Sequence, residues 1–394
     1  PGARLLHIGP HKTGTTALQG ALWLARDELL RQGVRHAGPT RNPSNQVRAV
    51  VGQSSAYSDS PPPIGQWRSL VREITGAHER LVIVSSEFFA AAKPDAIRRI
   101  VHDLDPARVH VVVTLRRLDR VIPSMWQQNV QAGRTTAFEP WLEGLFREPP
   151  GRPNPAFWLL HRHDELIARW AAVVGADGVT AVVVDEDDRD RLLRTFERLV
   201  GIPEGTLALD EDLANRSLTM QEAEAVRAFN RAFEAEELPR ALHARIMRFG
   251  AAQVMKRRPP TPDEDAVEMP AWAIDRARAV QREIVANVAS SGVRVVGDLG
   301  RLTADPPPLR RSEASPLPEA GGTDAGPEIA AKMAIGVLLA SGAARSEGMR
   351  LGRLEFAEPI ELARVSTVQL GAVLVGRAKN AMVSRLRGIP FVRR

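Results

Sequence analysis

The sequence predicts an α/β fold, a central and mostly parallel sheet flanked by helices, followed by a helical C-terminal extension. Three observations carry this. The apolar runs at 4–8, 80–84, 109–115 and 179–184 are short, β-branched and nearly continuous rather than alternating, as in strands buried on both faces. Segments of helical periodicity lie between them. Three of the four runs end in polar or charged residues, which is where such sheets bind ligands.

The first run, Arg4-Leu5-Leu6-His7-Ile8, breaks at Gly9-Pro10, a turn signal. Leu18, Leu22, Leu29 and Leu30 then recur at helical spacing up to Gly33. Residues 36–66 are rich in Pro, Ser, Asn and Gly and read as an irregular excursion. The second strand, Arg80–Val84, ends in Ser85-Ser86-Glu87, the third, Val109–Leu115, in Arg116-Arg117, and the fourth, Val179–Val184, in the acidic run 185–188. Helical patterns occupy 94–103, 118–132, 164–174 and 189–200, with the acidic run placed to cap the last. Residues 133–163 read as a second irregular stretch, 217–290 as mostly helical, and 292–297 as a last short strand. His7 falls inside a strand; His161 and His163 read as structural. The domain organisation expected is 1–303 for the catalytic unit, a Pro/Gly/Ala/Ser-rich linker over 304–327, and a helical basic extension over 328–394.

Composition narrows the chemistry. The 394 residues suffice for a sizeable core. With no cysteine, disulfides and thiolate metal sites are excluded. No secretory signal is read and the longest apolar runs, such as Met333–Ala340, are too short to span a bilayer, so a cytoplasmic protein is expected. The net charge is +6, and of the 53 basic residues only five are lysine. Few aromatics and no basic stretch interleaved with stacking residues argue against nucleic acid; small anionic ligands fit better.

The segment HIGPHKTGTT, residues 7–16, has the parts of a phosphate loop with its lysine ahead of the glycine. Gly14 lets the backbone approach a ligand closely. The N–H groups of Thr13 to Ala17 open a helix whose N-terminus carries partial positive charge. Thr15 and Thr16 add hydroxyls and Lys12 a mobile full charge. A helix cap with nothing bound is the plain alternative. In LRRLDRVIPS, Arg116 follows the third strand and Ser124 lies eight residues later, positioned to grip one phosphate together.

These two motifs together resemble the sulfotransferases that use 3′-phosphoadenosine 5′-phosphosulfate, whose fold is related to that of P-loop NTPases. The family's K-T-G-T-T loop matches Lys12-Thr13-Gly14-Thr15-Thr16, and its R-then-S motif matches Arg116 and Ser124. The stretches MWQQNVQAGRTTAFEPWL and DELIARWAAVVGADGVTAVVVDEDD also look like bacterial members, as does Asn215-Arg216-Ser217-Leu218, so that the resemblance runs over residues 1–300. It implies that the loop binds the 5′-phosphosulfate, that Arg116 and Ser124 bind the 3′-phosphate, that Arg216 closes over the nucleotide, and that Lys12 stabilises the departing phosphate without a metal. A base is needed for the acceptor, with Glu87 the first candidate and His11 the second. The acceptor is expected to be a hydroxyl or amine of a glycan, lipid or natural product. A magnesium-dependent small-molecule kinase and a non-catalytic nucleotide-binding scaffold stand as alternatives. The stretch 373–394 has six basic residues and no acidic one. It is expected to dock on the domain or form a homo-oligomer contact, with peripheral membrane binding as the other option.

Overall fold

The computed structural model describes residues 2–54, 58, 60–147, 155–188, 190–210, 216–304 and 327–341. Strand β1 (Ala3–His7) leads into helices α1 (Thr15–Leu24) and α2 (Arg26–Arg31), strand β2 (Val34–His36), and helices α3 (Ser44–Val51) and α4 (Ile64–Thr75). Strand β3 (Leu81–Ser85), α5 (Pro94–Asp103), β4 (Val109–Leu115) and α6 (Leu118–Gln131) follow. Then come α7 (Phe138–Phe146), α8 (Pro155–His161), α9 (His163–Val174), β5 (Val179–Val183) and α10 (Arg191–Val200). The remainder is α11 (Met220–Ala235), α12 (Arg240–His243), a π-helical stretch Ala244–Ala251, α13 (Ala252–Arg257), α14 (Ala271–Ser290), β6 (Arg294–Val296) and α15 (Pro327–Ser341).

The six strands form one sheet in the order β2-β3-β1-β4-β5-β6, and every neighbouring pair is parallel. The expected α/β class with a parallel sheet is therefore the observed one. Alternate residues of each strand serve opposite faces. Leu5, Ile83, Val112 and Val182 join Leu18, Leu22, Leu192 and Phe196 of α1 and α10. Leu6, Val84, Val111 and Ala181 join Trp67 of α4, Ile97 of α5 and Trp170 of α9 on the other face. Both faces are apolar because both are covered, which is why the strands read as unbroken runs.

The two stretches read as irregular are not. Residues 36–66 contain α3 and the start of α4, and 133–163 contain α7 and the whole of α8. These helices are short and flanked by proline-rich segments, so turn composition masked their periodicity. The first helical pattern divides at Ala25, and β2 lies unforeseen just behind Gly33. Helix α15 packs on the π-helical stretch. The chain divides into units Pro1–Arg350 and Leu351–Arg394. Of the linker expected over 304–327, residues 305–326 lie outside the described residues and Pro327 opens α15, and the basic stretch at 373–394 also lies outside them. Among the described residues no helix is long and apolar enough to cross a membrane.

Candidate functional site

Strand β1 lies between β3 and β4. The chain leaving β1 turns toward β2 and β3, whereas the chain leaving β4 turns toward β5. Neighbouring strands with connections of opposite direction open a crevice beyond their carboxyl ends, and the segment Ile8–Gly14 occupies that position. It is anchored on the β4 side. Ile8 N donates to the Val112 carbonyl at 3.0 Å, and Thr114 N to the Gly9 carbonyl at 2.8 Å. The Thr13 hydroxyl, fully buried, lies 2.6 Å from Thr114 Oγ1 and donates to the Pro10 carbonyl at 2.7 Å. Thr13 thus spends its side chain on holding the loop. On the β3 side, His7 Nδ1 lies 2.8 Å from Ser85 Oγ. Burial pushes the His7 imidazole down to about 4, against the pull of the Glu87 charge.

Three residues of the loop have left-handed backbone, Gly9 (φ 78), Lys12 (φ 67) and Gly14 (φ 88). For lysine this costs free energy, and such residues collect at ligand sites. Gly14 is the N-cap of α1, and no side chain caps the helix. Its first amides have no intrahelical acceptors, so they are presented to the crevice without internal competition. Thr15 is buried and Thr16 exposed.

Beyond β3, Glu87 Oε2 accepts from Gln19 Nε2 and from Asn42 Nδ2, both at 2.9 Å. Its Oε1 lies 3.9 Å from His11 Nδ1, and both side chains are largely buried. Burial pushes the Glu87 carboxyl up, but the His11 charge, the Gln19 amide, its own backbone N–H and His7 outweigh that and hold it below its ordinary 4.5. The His11 ring meets Phe88 edge-on at 5.1 Å. A cleft of about 470 Å³ opens beside them, lined by His11, Phe88, Arg48, Gln53, Ser54 and Gln128. The Arg48 guanidinium covers the Phe88 ring at 3.8 Å.

On the opposite flank, Arg116 donates from Nη1 to the Lys12 carbonyl at 2.9 Å. It pairs with Glu186 through Nε and Nη2 at 2.6 and 2.8 Å. Three of its five N–H donors are thereby used. Ser124 sits half-buried in α6, six residues past its first residue, about 9 Å along the axis. Its hydroxyl has no hydrogen-bond partner among the described residues. The structure thus brings Lys12, Gly14, Arg116, His11 and Glu87 to one sheet edge. Arg216 is placed otherwise. Its guanidinium donates to Glu222 twice at 2.6 Å and to the carbonyls of Ser217, Met255 and Arg258. Asn215 lies outside the described residues.

The acidic run is fully occupied. Asp185 pairs with Arg191 and Arg301, Glu186 with Arg116, and Asp187 with Arg301. Asp188 pairs with Arg194 and caps α10 through the amides of Asp190 and Arg191, as expected. Among the described residues no cluster of three or more His, Asp or Glu side chains is set to hold a metal ion.

Three site residues escaped the sequence reading. Gln19 carried a signal, a polar residue beside the apolar positions of α1. Asn42 carried none, because its partner is 45 residues away. Thr114, which ties down Thr13, read only as part of a strand.

No protein-family model matches the chain, and no curated protein matches it. Among solved structures the chain is similar to a sulfotransferase from Alicyclobacillus acidocaldarius, at 15% identity and a TM-score of 0.37. The match covers 60% of this chain and 93% of that one.

Proposed function

We propose that the chain is a sulfotransferase that moves a sulfuryl group from 3′-phosphoadenosine 5′-phosphosulfate to a hydroxyl or amine of a polar organic acceptor. The observation that carries this reading is the loop Ile8–Gly14 at the switch point, with an uncapped helix behind it, Arg116 on one flank and the His11–Glu87 pair on the other. The residues fit a phosphosulfate. A Cβ on the glycine at the helix entrance would lie 2.6 Å from Leu192 Cδ2, so the absence of a side chain lets this turn pack against α10, and the uncapped amides of the first turn are the donors for the anionic group.

When bound, the nucleotide supplies an activated sulfuryl group. The chain's own residues do the rest. The first-turn amides and Lys12 offset the charge that develops on the departing phosphate; stabilising developing charge is commonly the largest catalytic contribution. The two N–H groups that Arg116 still has to offer, with the Ser124 hydroxyl, hold the 3′-phosphate. In this reading His11 takes the acceptor's proton and Glu87 steadies the resulting imidazolium. A carboxylate already bound by two amides and held below its ordinary value is a poor base, whereas His11 lines the cleft itself. That cleft, rich in amide, hydroxyl and cationic groups, favours a polyhydroxylated acceptor over an apolar one.

The kinase alternative needs a carboxylate free for magnesium, and the acidic run has each of its four members engaged with an arginine. The test is a calorimetric titration of adenosine 3′,5′-bisphosphate against ATP with magnesium. The reading expects metal-independent binding of the bisphosphate, and loss of transfer by about 10²-fold or more in Lys12→Ala with the fold retained. Preference for ATP with magnesium would overturn it in favour of a kinase. Tight bisphosphate binding with no labelled product from any acceptor pool would leave only a binding scaffold.

A further inference from the structure

Outside this crevice, a groove of about 290 Å³ runs between α10 and β6. Arg191, Thr195 and Arg198 line it from one side. Their spacing of four and then three residues puts them on one stripe of the helix. Arg294 faces them from β6, over a floor that includes Val183 and Val296.

The charge on these walls is poorly neutralised. Arg191 has a carboxylate partner, Asp185, but shares it with Arg301. Arg198 donates through Nε to the Arg194 carbonyl at 3.2 Å. Neither Arg198 nor Arg294 has a carboxylate partner among the described residues. Neighbouring arginines differ: Arg194 reaches Asp188 and Glu204, and Arg301 reaches Asp185 and Asp187. The Arg294 charge is felt as far as His110 on β4, whose imidazole is held below its ordinary value by burial first and by Arg294 second. A concave surface lined by one sign of charge focuses its field on an anion.

We propose that this groove is a second anion site, separate from the glycine-threonine loop, that takes a compact diphosphate-type ligand. Guanidinium groups from two elements suit two adjacent tetrahedral oxyanions, since the planar fork bonds phosphate oxygens in pairs. The lining holds no aromatic ring on which a base would stack, so the anionic group itself is what the groove recognises. The site also adjoins the chain after β5. Asp185, which holds Arg191, precedes Glu186, which holds Arg116, so an anion that draws Arg191 away acts next to the first site.

The test uses the full chain in a Lys12→Ala background, which weakens anion binding at the loop. Inorganic diphosphate is titrated without metal at constant ionic strength and followed by calorimetry. The expected result is saturable binding that falls by about tenfold or more in Arg198→Gln/Arg294→Gln. Both side chains are exposed, and an unchanged thermal melt confirms that the variant folds. Binding equal in the double variant, or reproduced by chloride at the same ionic strength, overturns the proposal.

Discussion

The Arg116 guanidinium bonds the Lys12 carbonyl at 2.9 Å, linking the end of β4 to the one lysine of the glycine-threonine loop. The same guanidinium is gripped by Glu186 in a two-point pair. Arg116 therefore has a positioning role as well as a charge to offer, and Glu186 competes with any phosphate that arrives.

That competition is measurable. Glu186→Gln removes the competing charge and leaves the shape. Both side chains of the pair are about a quarter exposed, so the effect is that of a screened surface pair. Bisphosphate affinity is expected to rise by roughly two- to fivefold by calorimetry. Arg116→Ala is expected to weaken it by more than tenfold, about the worth of a charge-assisted bond. An unchanged affinity in Glu186→Gln would mean that the phosphate does not draw on this arginine.

Gly14 sits at φ 88, and a Cβ there would meet the buried Leu192 at 2.6 Å. Gly14→Ala is expected to cost roughly 1–2 kcal/mol from the left-handed backbone alone, read by urea unfolding. Because the same residue opens α1, the first-turn amides shift with it and bisphosphate affinity falls too. A variant of normal stability and affinity would show that this turn does not shape the cradle.

Kinetics tests the division of labour proposed for His11 and Glu87. His11→Ala is expected to lower kcat by about 10²-fold or more, the usual worth of a general base. Glu87→Gln is expected to cost less and to move the acid limb of the kcat/KM profile to lower pH, since the carboxylate no longer supports a protonated imidazole. If Glu87→Gln instead abolished the acid limb, Glu87 would itself be the base.

Acid stability follows from the buried histidines. Burial holds His7 and His163 at about 4 and His36 at about 3, from an ordinary 6.5. For His36 the Arg26 charge adds to the effect. Below pH 6.5 the unfolded chain binds the proton and the folded chain does not, so stability falls with pH until the folded group titrates. Each is expected to remove roughly 3 kcal/mol between pH 6.5 and pH 4. Urea unfolding across that range should show the loss beginning well above the carboxylate range. His161 is fully buried with neither ring nitrogen bonded, and burial pushes its imidazole well down. His161→Leu is expected to keep or raise stability at pH 7 and to flatten the acid slope. An unchanged slope would remove His161 from the account.

How much of this was legible in the sequence depended on the range of the interactions. The strand Val109–Leu115 and the helix Pro94–Asp103 stand where local periodicity put them, because burial on both faces or on one stripe is written into neighbouring residues. The place of Lys12, Gly14 and Arg116 beyond the carboxyl ends of β1 and β4 was legible because strand ends and glycine turns mark that edge of a parallel sheet. The amides that steady Glu87 were not, since Gln19 and Asn42 meet it only after α1 and the segment before α3 have packed. The three-residue β2 is too short for any period to register.

Arg216 shows the same limit from the other side. Its place beside Ser217-Leu218 resembles a nucleotide-closing motif, yet all five of its N–H groups are bonded inside the protein. Its main partner, Glu222, is fully buried, also takes Arg258 Nη2 at 3.0 Å, and closes a capping box with Thr219 at the start of α11. Glu222→Gln leaves two guanidinium groups with less charge than they were folded against, and breaking a buried pair is strongly destabilising. A loss of about 3 kcal/mol or more is expected by urea unfolding. Arg216→Lys removes the fork and keeps the charge, so it separates the two roles. A residue that braces α11 against the C-terminal end of α13 should lose stability in this variant while bisphosphate affinity stays within about twofold, well under the effect of losing a phosphate contact. A tenfold loss of affinity at unchanged stability would place Arg216 on the nucleotide after all.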